Sequence, residues 1–375
     1  MSDTKKEKKP KRRIMRLRRK KSKKSKLNVV DASAKKQMKE PKKKRDKKQK
    51  RKTVRTKHQR ELPLLNVLLL GVGSSGKSTV AKQMRVIHRP YTKVERNKFG
   101  MILKQNLLDA IQLFLKAYHL EETHGVDVVL QKYQLSANVS REIVRMWKKD
   151  AIQKIWTQAH GSGQFASTTE YVLQHVERIM QPDFEPTDAD IVHAQIKTTG
   201  ISEYLFEADY SSMPVQFNFI DTGGEQNQRR KWATFMRQST AVVFVAALDV
   251  YDEMNVIDFT ANAMQDSMET FWELSKIPEL KNKQFTLFLN KRDKFEAKLS
   301  RSPLKNLFPE YDGGADANKA VEYITEQFRK GFEGDELNIF DGCALDSEGC
   351  KATFSKICAR AADRYSYTHP QVGGY

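Results

Sequence analysis

An apolar run over residues 62–70 leads straight into Gly71-Val72-Gly73-Ser74-Ser75-Gly76-Lys77-Ser78, and a helical pattern follows. The segment fits G-x-x-x-x-G-K-[ST] in full, and a strand before it with a helix after it is the context that motif requires. The consequence is architectural as well as chemical. A buried strand, a glycine loop and a helix form the opening unit of an α/β sheet. The glycines let the backbone turn its N–H groups inward around phosphates, and the helix adds its positive N-terminal end. Lys77 is placed to reach the β- and γ-phosphates and Ser78 to give a hydroxyl to Mg²⁺. Gly71, Gly73, Ser74, Ser75, Gly76 and Thr79 complete the nucleotide-binding set of the loop.

Further strands are predicted over 204–210, 215–220, 241–248, 285–289 and 337–340, with helices over 261–274, 318–330 and 352–367. Strands alternating with helices argue a mostly parallel sheet flanked by helices. The stretch 95–186 differs: it has helical patterns (98–120, 140–157, 168–180) and no convincing strand. It reads as an all-helical domain inserted between the first helix and the second strand. The expected organisation is a basic tail over 1–60, an α/β domain over 61–93 and 189–375, and an inserted helical domain over 94–188.

Charge is unevenly distributed. Residues 1–60 hold 30 Lys+Arg against five acids, so of the chain's net +21 the tail carries +25 and the remainder −4. So basic and apolar-poor a segment cannot bury enough surface to offset its ordering entropy, and mostly disordered chain is expected there. The three cysteines, Cys343, Cys350 and Cys358, show no metal-ligand spacing. So few cysteines point to a reducing compartment. No apolar run approaches the ~20 residues of a membrane span, and no apolar segment follows the N-terminal charges as a signal peptide would need.

Phosphate loops serve ATP and GTP alike, so the base must be read elsewhere. Asn290-Lys291-Arg292-Asp293 follows the strand over 285–289. A carboxylate there can accept two hydrogen bonds from the N1–H and N2–H₂ edge of guanine, a donor pair that adenine lacks. Taken in order, the phosphate loop, Asp221-Thr222-Gly223-Gly224 and this motif resemble the α subunits of heterotrimeric G proteins over about residues 62–365. Lys197-Thr198-Thr199-Gly200-Ile201, Ile155-Trp156 and Cys343-Ala344 add to the resemblance. It implies a Ras-like P-loop GTPase domain with the inserted helical domain folded over the nucleotide. A small Ras-like GTPase is the alternative, disfavoured by the long helical stretch between Lys77 and Thr198.

The resemblance implies further roles. Thr198 matches the switch I threonine that ligates Mg²⁺, and Asp221 the aspartate that holds it through water, so Ser78, Thr198 and Asp221 form the expected metal set. Gly224 matches the switch II glycine that contacts the γ-phosphate. Val192 and His193, ahead of switch I, and Asn290, Lys291, Asp293, Cys343 and Ala344 complete the expected contacts to GTP or GDP. Gly342 stands where the family usually has threonine.

The departures fall on the chemistry. Alignment puts Gln195 at the family's catalytic arginine and Glu225 at its catalytic glutamine. An arginine there is worth about 10³–10⁵ in rate, or ~4–7 kcal/mol. Gln195 supplies no charge, and His193, if protonated, is the nearby candidate cation. The expectation is a GTP hydrolase with impaired turnover. A nucleotide-loaded scaffold with vestigial hydrolysis is the alternative. Ser74 replaces a glutamate of the phosphate loop, and Ala263 replaces a switch III arginine.

At the ends, residue 2 is serine and the N-terminal half has no cysteine, so the family's lipidation sites are missing. The basic tail is read first as attraction to anionic lipid, which gains about 1 kcal/mol per basic residue near the surface. A cytoplasmic protein held at the inner face of the plasma membrane follows. Nuclear import or nucleic-acid binding is second, weakened because no aromatic residue is interleaved to stack on bases. A solvated tail without a partner is third. Lys231 and Trp232 match the surface that meets the βγ dimer, and the C-terminal helix the receptor face. Pro370 and the glycine pair Gly373-Gly374 are expected to end that helix.

Overall fold

The computed structural model describes residues 62–119, 137–159, 165–196, 198, 200–210, 213–225, 228–254 and 261–368. The basic tail, Lys197, Thr199 and the C-terminal stretch containing Pro370 lie outside the described residues.

Strands β1 (Leu64–Leu70), β2 (Ile201–Tyr210), β3 (Met213–Thr222), β4 (Ala241–Ala247), β5 (Gln284–Asn290) and β6 (Leu337–Asp341) form one sheet in the order β2-β3-β1-β4-β5-β6. All neighbours run parallel except β2 with β3, which pair antiparallel at the sheet edge. β4 and β5 are buried along their whole length. That explains why they read as continuous apolar runs, since both faces are covered. β2 has exposed residues alternating with part-buried ones along much of its length, as an edge strand should.

The period of two divides each strand between two cores. Leu68, Leu70, Phe244 and Leu287 face a cluster with Phe271 and Phe328. Val67, Leu69, Val243 and Phe219 face the opposite one with Met84 and Phe354. The first core belongs to helices α9 (Ala263–Ser275) and α12 (Ala317–Lys330), and the second to α1 (Lys77–His88) and α13 (Ser347–Thr368). Helix α13 starts five residues earlier than the expected 352.

The insertion has its own core. Helices α2 (Lys93–Ala117), α3 (Ala137–Trp147), α4 (Asp150–Ala159), α5 (Ser167–Gln174) and α6 (Val176–Ile179) enclose Phe114, Trp147, Trp156 and Leu173, and α7 (Asp188–His193) follows them. α2 opens on a capping box, with Thr92 and Glu95 exchanging bonds to each other's backbone N–H groups. The single helix expected over 140–157 is instead two. Trp147 and Trp156 are nine residues apart and would point in opposite directions, about 180° apart, on one straight helix. The break after Trp147, capped by the Gln153 side chain on its carbonyl (2.5 Å), lets both rings enter one core. The helix expected over 168–180 is likewise interrupted, at His175, between α5 and α6.

The remaining described elements are α8 (Trp232–Met236), preceded by a 3₁₀ turn at Arg229–Lys231, α10 (Pro278–Lys281), α11 (Arg292–Leu299) and a second 3₁₀ turn at Leu304–Asn306. Parallel strands β1, β3, β4, β5 and β6 end on one side of the sheet, where ligands of open α/β sheets bind.

Candidate functional site

The phosphate loop leaves β1 in a shape only glycine accepts at two positions. Gly71 has φ +139°, and a Cβ there would collide with the carbonyl oxygen of Val245 on β4. Gly76 has φ +102°, and its Cβ would overlap the carboxamide nitrogen of Asn290. That nitrogen donates to the Ser75 carbonyl (2.9 Å), while the Asn290 oxygen accepts from the Ala344 N–H (2.9 Å). Asn290 thus ties the end of β5 to the phosphate loop and to the loop after β6. Ser74 is exposed at φ 60°, and Gly73 and Thr79 are half-buried. Lys77 is buried and donates from Nζ to the Val72 carbonyl (2.7 Å). Burial pulls its pKa down to about 8, although Asp221 opposes the shift.

Around α1's first turn three oxygen-bearing side chains converge. Ser78 Oγ and Thr198 Oγ1 are 2.8 Å apart, and both hydroxyls lie near enough to Asp221 to pull its pKa down. Asp221, at the end of β3, is 1% exposed, and its Oδ1 is buried with no protein partner. Burial raises its pKa, against the pull of Ser78 and Lys77. A buried carboxylate oxygen left unpaired near a pair of hydroxyls fits a hard cation, and these oxygen donors suit Mg²⁺.

At the other end of the groove, Lys291 adopts φ 62° and sends Nζ to both carboxylate oxygens of Asp249, each at 3.1 Å. Asp293, in the first turn of α11, is exposed and lies beside Cys343. Burial and then the Asp293 carboxylate push the Cys343 thiol up to about 11, so it stays protonated. Gly342 is pinned through its backbone to Leu289 (3.0 Å) and Arg292 (3.1 Å). A Cβ at Gly342 would meet only Phe288 at ordinary contact distance, so nothing in the structure explains glycine there.

The two switch segments differ from the sequence expectation in detail. Val192 is buried, with its carbonyl oxygen bonded to Lys82 (2.7 Å). The His193 ring lies flat on Tyr171 (centroids 3.8 Å apart), with Nδ1 against the Ala189 carbonyl at 2.8 Å. Burial lowers its pKa, so the imidazole is neutral at neutral pH and provides no stand-in cation. The side chain of Gln195 is exposed, and its backbone is held by Asn106. Glu225 lies beside the phosphate loop: a Cβ at Gly73 would come within 3.1 Å of its Oε1. Gly224 packs so closely on the loop that a Cβ would press on Lys77 Nζ and come within 2.6 Å of the Gly71 and Val72 carbonyls. Arg229 is committed to Asp266 (3.0 Å) and Thr270 (2.8 Å) on α9. Trp232 is 3% exposed and donates Nε1–H to the Gly223 carbonyl (3.0 Å), so only Lys231 of that pair reaches the surface.

Sequence reasoning missed Lys82, Asn106, Asp249 and Arg229. Lys82 shares its helix face with Ser78, Thr79, Arg85 and Val86, a mostly polar set that gave no local sign of burial. The others are polar residues whose partners lie tens of residues away, and no local pattern marks them.

Comparison with known proteins agrees with this geometry. The sequence profile of the G-protein alpha subunit family matches residues 33–360. A guanine nucleotide-binding protein alpha-9 subunit from Dictyostelium discoideum is 36% identical over 285 residues, covering 73% of this chain and 81% of that protein. A G-protein complex alpha subunit from Aspergillus fumigatus is 31% identical, covering 76% and 84%. An alpha-7 subunit from Caenorhabditis briggsae is 29% identical, covering 78% and 87%.

Proposed function

The chain belongs to the G-protein alpha subunit family, and from that premise we propose that it is a slow member, a switch that stays loaded with GTP. It is a guanine-nucleotide-binding signalling switch, and members of its family are in general GTPases. The slow reading rests on one observation, that Gln195 and Glu225 stand in the sequence where the family carries its catalytic arginine and glutamine, with Glu225 beside Gly73 of the phosphate loop.

Gln195 is neutral and exposed, and Glu225 puts a carboxylate beside Gly73, where an attacking water would meet polyanionic phosphates. The Arg229 guanidinium is held by Asp266 and Thr270, and the His193 imidazole is neutral. Among the described residues Lys77 is then the cation of the phosphate loop. A cation that also binds the ground state does less for the rate than one engaged only in the transition state. Ser78, Thr198 and Asp221 would hold Mg²⁺, which neutralises phosphate charge when bound. Asn290 holds the loop in shape, and Asp293 accepts from the guanine edge.

Single-turnover hydrolysis of GTP tests the proposal. The purified chain is expected to hydrolyse GTP far more slowly than relatives carrying the arginine, and Gln195→Arg to recover part of the ~10³-fold or larger loss. A normal family rate in the unmodified chain overturns it. A scaffold that never switches is separated by the switch II tryptophan: Trp232 fluorescence should differ between GDP and GTPγS.

We further infer that the basic tail meets anionic lipid and holds the chain at a cytoplasmic membrane face. Net +25 in sixty residues supports this. Deleting residues 1–60 should release the protein from phosphatidylserine vesicles at low salt. Relatives generally partner with βγ dimers and receptors, and contact with βγ is proposed through switch II around Lys231.

A further inference from the structure

Two residues outside the nucleotide motifs grip the hinge that leads into switch I. Lys82 lies on α1, four residues and so about one turn after Ser78, and is 4% exposed. Its ammonium donates to the carbonyl oxygens of Ile191 (3.0 Å), Val192 (2.7 Å) and Ala194 (2.5 Å). Those carbonyls belong to the C-terminal end of α7, where a helix leaves acceptors unsatisfied and its dipole favours a cation. The three protons of the ammonium match the three acceptors. The next residue, Gln195, is gripped from the other side. The Asn106 carboxamide on α2 accepts the Gln195 N–H (2.7 Å) and donates to the Gln195 carbonyl (3.0 Å). Residues 191–195 are therefore held jointly by the helix that carries Ser78 and by the first helix of the insertion.

We propose that Lys82 and Asn106 are positioning residues that hold this hinge so that Thr198 Oγ1 stands at Ser78 Oγ, coupling the helical insertion to the Mg²⁺ site. Thr198 is three residues beyond Gln195. With the hinge released, the segment carrying Thr198 would hang from a longer flexible tether, and meeting Ser78 would cost more entropy. The exposed Gln195 side chain takes no part, so the position that lost its arginine still anchors the switch through its backbone. The proposal rests on the Mg²⁺–nucleotide reading of the site.

Lys82→Met would leave the buried carbonyls of Val192 and Ala194 without this donor and risks failing to fold, so Asn106 carries the test. Asn106 is only half-buried, and Asn106→Leu removes both bonds at similar volume. Release of GTPγS from the full chain is followed while Mg²⁺ is titrated, with Gln105→Leu on the exposed neighbouring position as control. The Mg²⁺ midpoint of Asn106→Leu is expected about threefold to tenfold higher than in the unmodified chain, the effect of losing a net hydrogen bond or so. Gln105→Leu should leave it unchanged. A merely structural role would lower the melting temperature without moving the midpoint, and that result overturns the inference. If the unmodified chain shows no Mg²⁺-dependent retention of GTPγS, the nucleotide reading itself fails, and the inference with it.

Discussion

Gly224 shows how much a single absent methyl decides. It sits where a Cβ would press on Lys77 Nζ and on two carbonyls of the phosphate loop, so its lack of a side chain is what lets switch II close on the loop. Gly224→Ala is expected to push switch II off this position at a cost of about 1–3 kcal/mol. Nucleotide should still bind, because the loop's N–H groups are untouched, but the Trp232 fluorescence change between GDP and GTPγS should vanish. An unchanged signal would refute this account of Gly224. Asn290 makes a second point at this scale. Sequence reading assigned it to the guanine motif, and the structure puts its carboxamide between Ser75 and Ala344. Its partners are 215 and 54 residues away, so its bridging role could not be read from any window of sequence.

At the scale of an element, α7 is short, and one buried carboxylate organises its start. Asp190 is fully buried, accepts two bonds from Arg178 (both 2.7 Å) and one from Tyr171 (2.8 Å), and closes a capping box with Thr187. Burial alone would raise its pKa, but these donors outweigh it and hold the group at about 2. A depressed carboxylate contributes stability that is present above its unfolded pKa of about 4 and is lost as pH falls toward 2. The loss is about 2 kcal/mol. Melting temperature followed from pH 5 to pH 2 should fall more steeply for the unmodified chain than for Asp190→Asn, which starts lower. Parallel curves would refute this. Neither this cap nor its Arg178 and Tyr171 donors, which come from other helices, was legible in the sequence. The interrupted helices of the insertion teach the same lesson. Apolar periodicity reported helix in each case, and the break after Trp147 follows from the core that the two tryptophans must share.

For the molecule as a whole, the insertion and the α/β domain meet beside the guanine end of the site. Lys294, the residue after Asp293, reaches Glu170 on α5 (2.5 Å), and both side chains are largely buried. This ion pair ties the insertion to the α/β domain one residue from Asp293, so on the proposed nucleotide reading it opposes separation of the two and release of nucleotide. Glu170→Gln is expected to speed GDP release about twofold to fivefold, corresponding to ~0.5–1 kcal/mol. Fluorescent GDP released into excess unlabelled nucleotide measures it, and high salt should shrink the difference. An equal rate in both proteins would mean that the cleft is held elsewhere.

The sequence by itself determined the phosphate-loop motif, the sheet that carries it and the guanine-nucleotide class, and from it alone comes the proposal that Gln195 and Glu225 are altered catalytic positions. Each of these is encoded locally, as a motif a few residues long or a period of two or 3.6 along the chain. Only the tertiary structure decided that His193 is a stacked neutral ring, that Trp232 is buried, and that Lys82 and Asn106 hold the hinge of switch I. Those facts depend on hydrogen bonds and burial between segments far apart in the chain, and folding creates such neighbours without leaving a pattern in any one segment. The phosphate loop could be read from eight consecutive residues. What holds Thr198 beside it needed the whole fold.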